Sequence, residues 1–136
     1  MPIVADHAVS AAPPEEVWKL LYDPARFPDW WAGMERVEIG AQPGDFTYWH
    51  EAFPDFAMPQ KLVTSRDGAR VTISCLVSFF DIEWRLSEDG GGTRIDVHAA
   101  VPDEQAHRCE QLRAVLAASV NRLAQLAATG APRARG

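Results

Sequence analysis

The chain has 136 residues, 47% of them hydrophobic, and a formal net charge of -6 from 19 acidic against 13 Lys and Arg residues. That length suits one domain, which can bury roughly two-thirds of its unfolded surface without staples, and the hydrophobic share excludes a disordered chain. The acid excess excludes a phosphate-tracking nucleic-acid surface, which needs clustered Lys and Arg, because Arg133 and Arg135 stand only in a Gly/Pro/Ala tail.

There are 2 cysteines, Cys75 and Cys109. Met1 to His7 has neither the basic nor the apolar region of a secretory leader. No apolar run approaches the ~18 residues of a membrane span. The expectation is a cytoplasmic protein with free thiols and no membrane insertion. No Cys or His pair falls at metal-ligand spacing, so neither a metal nor a cofactor is expected.

In chain order, Ile3 to Ala11 fits a first strand. Pro13-Pro14-Glu15-Glu16 then opens a short helix, since proline is tolerated in the first turn and glutamates there oppose the helix dipole. Val17, Trp18, Leu20 and Leu21 give it an apolar face. Asp23-Pro24 caps a second short helix carrying Phe27, Trp30 and Trp31. Two successive tryptophans are expected to face apart, one in the core and one at a rim or in solvent.

From Glu35 the period becomes two. Strands are expected over Arg36–Gly40, Asp45–Phe53, Gln60–Ser65, Ala69–Ser78, Phe80–Leu86 and Thr93–Val101. Pro54-Asp55 should break the chain, Asp67-Gly68 should form a tight hairpin turn, and Gly90-Gly91-Gly92 should form a loose one. Val71, Ile73, Cys75 and Val77 alternate onto one face, as do Ile82 and Trp84, then Ile95, Val97 and Ala99. A last helix should run from Pro102-Asp103 to about Thr129, roughly 40 Å, with a stripe of Cys109, Leu112, Leu116, Ser119, Val120, Leu123 and Leu126. The fold class is α+β. Seven strands in sequential hairpins make a curved antiparallel sheet, with two short helices after strand 1 and a long helix at the end. Residues 1–129 are expected to form a single domain and 130–136 a flexible tail.

The segment Ala12-Pro13-Pro14-Glu15-Glu16-Val17-Trp18, followed by Asp23-Pro24 and Trp30, resembles the N-terminal signature of the START-like (SRPBCC) superfamily. Within it the likeness is to the polyketide cyclase/dehydrase branch, and Gly92-Thr93-Arg94-Ile95 resembles the start of that family's last strand. The resemblance implies a helix-grip fold with a ligand cavity between the sheet and the last helix. It implies as partner a small hydrophobic, cyclic metabolite, held by a carrier that is a monomer or homodimer. The alternative is a cyclase, aromatase or dehydratase working in the same cavity.

Phe27, Trp30, Trp31, Cys75, Val77, Phe80, Trp84, Leu112 and Leu116 are the apolar candidates for that cavity. On the strand Asp45–Phe53 two faces compete: Phe46, Tyr48 and His50 share one, Trp49, Glu51 and Phe53 the other. Likeness to the cyclases selects Tyr48 and His50 as inward, and Met58, Gln60 and Leu62 on the strand that follows. His50 is then the candidate general acid or base, since an imidazole is the side chain suited to proton transfer at neutral pH. His7, His98 and His107 have no motif partner. The cyclases place an arginine inside their cavity. No arginine stands at an inward strand position here, and Arg108 alone could reach the cavity mouth, from the last helix. Asp81 and Glu83 fall on the outward face.

Overall fold

The computed structural model describes residues 2–65, 67, 69–76 and 80–129. Gly68, Val77 and the tail 130–136 lie outside the described residues. Strand β1 (Ile3–Ser10) leads into helix α1 (Pro14–Leu21) and a 3-10 helix (Pro24–Asp29). Strands β2 (Met34–Ile39), β3 (Asp45–His50), β4 (Phe53–Thr64), β5 (Arg70–Cys75), β6 (Asp81–Asp89) and β7 (Gly92–Ala100) follow. A second 3-10 helix (Asp103–Arg108) then runs into α2 (Cys109–Thr129). The strands make one 7-stranded sheet in the order β1-β7-β6-β5-β4-β3-β2, antiparallel at every joint. This is the expected α+β helix-grip architecture.

Alternation sets the core as expected. Val71, Ile73, Cys75, Trp84, Ile95, Val97 and Ala99 are buried, and they meet Leu116, Val120, Leu123 and Leu126 of α2. Four local expectations are corrected. Pro54 does not break the chain but, like Pro59, lies within β4. Its N-terminal half is laddered to β3 alone, the β5 ladder beginning only at Gln60, so a residue without an N–H is tolerated there. Gly90 and Gly91, at φ 57° and 90°, form a tight two-residue turn rather than a loose one, with Asp89 paired to Gly92. The final helix begins as a 3-10 segment before it becomes α-helical. Trp30 and Trp31 are both buried, because the chain turns at Trp30 and lets the two rings stack, centroids 5.3 Å apart at 29°.

Buried hydroxyls fasten α2 to β1 and to the link into β2. Ser10 Oγ donates to the Ala124 carbonyl at 2.7 Å and accepts the Ala12 amide at 3.2 Å. Ser119 Oγ accepts the Ala32 amide at 2.9 Å and donates to Val115 O at 2.6 Å. The sheet contacts of α2 fall chiefly on β1 and β7. The β3–β5 side of the sheet is left to curl over the first turns of α2 without closing on them.

Candidate functional site

The space between those parts is a cavity of about 400 Å³, within the ordinary range for a small-molecule site. Trp31, Ala32 and Met34 line it from the link into β2. Phe46, Tyr48 and His50 come from β3, Phe53, Met58 and Gln60 from β4, and Ile73 and Cys75 from β5. Phe80 and Ile82 close one side, and His107, Arg108, Gln111, Leu112 and Val115 descend from the final helical segment. Phe53 joins because the expected strand Asp45–Phe53 ends at His50: the chain turns at Glu51-Ala52, and Phe53 opens β4 paired with His50 on the same face. The register shift between Tyr48 and His50 then lets Phe53 and Met58, five residues apart, both face inward.

The cavity gathers Trp31, Tyr48, His50, Met58, Gln60, Cys75, Phe80 and Leu112 from the predicted set. It does not gather Phe27, Trp30, Trp84 or Leu116, which are fully buried in the core. They pack behind Trp31: Phe27 at 5.3 Å and Trp84 at 5.3 Å between ring centroids, with Trp30 also edge-on to Trp84. Phe27 and Trp30, from the first 3-10 helix and its C-cap, pack with Trp84 of β6 and Leu116 of α2 into the core, and only Trp31 of that ring cluster reaches the gap. His107 was not foreseen, and neither were Gln111 and Val115. Their signal was present in the sequence: His107, Gln111 and Val115 are spaced i, i+4, i+8, one helical face with Arg108 beside it.

His50 has a specific geometry. Its Nδ1 accepts the Ala52 amide at 3.0 Å, so that nitrogen carries no proton and the neutral ring carries its proton on Nε2. The ring lies on Gly33, at φ +84°, where a Cβ would stand 2.5 Å from Nε2. A proton acceptor for substrate is therefore not on offer from this ring without breaking the hairpin contact. Gln60, buried, donates through Nε2 to Cys75 Sγ at 3.0 Å and to the Met58 carbonyl at 3.3 Å. Burial pushes the Tyr48 phenol up to about 12; Cys75 adds to the rise and Arg108 opposes it. The Arg108 guanidinium stands 5.0 Å from the centre of the Phe80 ring.

Chemistry outside the cavity is structural. Desolvation raises the Glu83 carboxyl, but hydrogen bonds from Arg85 and His98 outweigh it together and hold the group below the usual carboxylate range. Glu83 meets Arg85 at 2.7 Å, His98 at 2.8 Å and Arg70 at 3.8 Å across the outer face of β5–β7. Cys75 is buried and its sulfur takes the Gln60 amide, while Cys109 is a half-buried free thiol. Among the described residues no group of three or more His, Cys, Asp or Glu is placed to hold a metal. None of the described helices is long and apolar enough to cross a membrane.

A curved antiparallel sheet gripping a long helix, with an apolar cavity at one end, defines a START-like protein. The chain belongs to the polyketide cyclase / dehydrase and lipid transport family, whose model matches residues 1–128. Solved structures share the fold at low identity. XoxI from Bacillus cereus is 15% identical, with a TM-score of 0.75 over 92% of this chain and 94% of that one. A protein from Thermobifida fusca is 18% identical, with a TM-score of 0.74 over 99% of each chain. DynU16, from the dynemicin biosynthetic locus, is 23% identical with a TM-score of 0.68 over 96% of this chain and 48% of that one, so this chain spans about half of its length. No curated protein sequence matches the chain.

Proposed function

We propose that this protein binds a small hydrophobic, cyclic metabolite in the cavity between its sheet and α2, as a carrier or binding protein. The observation that carries the reading is the lining itself. Trp31, Phe46, Phe53 and Phe80 supply flat apolar walls, while the one histidine on the sheet wall has its basic nitrogen committed to the Ala52 amide. Apolar burial drives binding at roughly 25 cal/mol per Å², before ordering costs are subtracted. The neutral probe N-phenyl-1-naphthylamine tests this. Saturable binding that is lost when Leu112→Trp fills the cavity is the expected result. Binding indifferent to that substitution, in a protein that still melts cooperatively, would show that the cavity is not the site.

A second reading, a cyclase or dehydratase acting on the same kind of ligand, is favoured by one observation: Arg108, Tyr48 and His50 line one cavity. A general acid or base contributes about 10²–10⁴-fold to turnover. His50→Ala assayed on poly-β-keto substrates separates the readings, because a carrier makes no product to lose.

A further inference from the structure

We infer, building on the reading that the cavity holds an apolar ligand, that the ligand carries an organic anion such as a carboxylate, paired with Arg108 and hydrogen-bonded by the Tyr48 hydroxyl. The argument begins with charge. The chain has 19 acidic residues and a net charge of -6, yet no Asp or Glu is among the residues lining the cavity. Arg108 is the one lining residue with a permanent charge.

Four other arginines are paired with carboxylates, Arg26 with Asp29, Arg70 and Arg85 with Glu83, and Arg94 with Asp96, while Arg36 lies over the Trp49 ring outside the cavity. Among the described residues Arg108 has no carboxylate and no hydrogen-bond acceptor, only the face of Phe80. A guanidinium offers five donors in a fixed fork that matches a carboxylate, and removing it partly from water without an acceptor is costly. Tyr48 tells the same story from the opposite wall. Tyr48 is half-buried, and its hydroxyl has no hydrogen-bond partner among the described residues. A phenol that keeps its proton at neutral pH is a donor, and one donor aimed into the same space as an unpaired cation describes a receptor for an oxyanion. The Phe80 ring, which also lines the cavity, lies under the Arg108 guanidinium.

The test uses the full chain and two fluorescent tricyclic probes of one shape, anthracene-2-carboxylate and anthracene-2-carboxamide, titrated at pH 7.5 and low salt. Both are expected to bind, with the carboxylate preferred by about 10-fold, the gain typical of a charge-assisted pair. In Arg108→Gln the ratio of the two affinities should fall toward one. In Arg108→Lys most of it should survive, and in Tyr48→Phe it should fall severalfold. Added salt should shrink the ratio in wild type, since the pair lies at the cavity edge. Equal affinity for the two probes, or a carboxylate preference that survives Arg108→Gln, would overturn the inference and leave the cavity reading standing, because both probes still bind. If neither probe binds, the cavity reading falls and takes this inference with it.

Discussion

Tyr48 is the residue whose ionisation the fold alters most visibly. Its phenol is raised from an ordinary value of 10.0 to about 12 by burial, with Cys75 adding to the rise. Below about pH 10 the folded and unfolded chains both keep the proton, so the contribution is complete there. Between about pH 10 and 12 the unfolded chain loses it first, and stability falls as pH rises, by about 2–3 kcal/mol at most. Denaturant unfolding from pH 8 to 12 should show this fall in wild type and a smaller one in Tyr48→Phe. Parallel curves for the two proteins would mean that the phenol is not desolvated. His50, on the same face, is constrained differently: a hydrogen bond from the Ala52 amide and the close approach of Gly33 fix its ring. Sequence alternation placed both residues on one face, but nothing in the spacing revealed that the imidazole would be tied to the hairpin it helps to form.

At the scale of elements, position depends on a few buried hydroxyls. Ser119→Ala would leave the Ala32 amide without its acceptor and should cost about 1–2 kcal/mol. Because Ala32 also lines the cavity, the same change should loosen the wall between Trp31 and Met34. A lowered thermal midpoint, with faster amide exchange at Ala32, is the expected outcome; unchanged exchange there would remove Ser119 from this role. Strand faces were legible in the sequence because period two is enforced by burial. The extent of β4 was not, since Pro54 reads as a breaker until the pairing partner of each edge is known. Nor was the pairing of Trp30 with Trp31, which depends on the turn at Trp30 and not on residue type. The start of the last helix was legible to the residue, but its 3-10 opening, which carries Arg108, was not.

Across the whole molecule, filling and binding are divided between two regions. The core keeps Phe27, Trp30, Trp84 and Leu116 fully buried, while the cavity uses residues nearer the free end of the sheet. Deciding which inward aromatic belongs to which region needs the position of α2, which is set by its buried Leu and Val stripe and by the hydroxyls of Ser10 and Ser119, two residues that look ordinary in the sequence. The division has a measurable consequence. Trp84→Ala should destabilise the fold by about 3–5 kcal/mol, with any loss of probe affinity following through Trp31. Leu112→Ala should cost less stability and weaken N-phenyl-1-naphthylamine directly, because Leu112 lines the cavity and is only partly buried. The reverse ranking in a paired melting and titration experiment would place the site deeper than described here.

The ring cluster behind the cavity has an optical consequence as well. Trp31 stands 5.3 Å from Trp30 and 5.3 Å from Trp84, centroid to centroid, and it alone of the three forms part of the cavity wall. Indoles this close share their excited states, so light absorbed by any of the three is distributed among them. An occupant that touches Trp31 therefore perturbs the emission and the near-ultraviolet circular dichroism of all three rings together. Trp18 and Trp49, outside the lining, supply a steady background. The protein thus carries a built-in, label-free indicator of whether its cavity is filled.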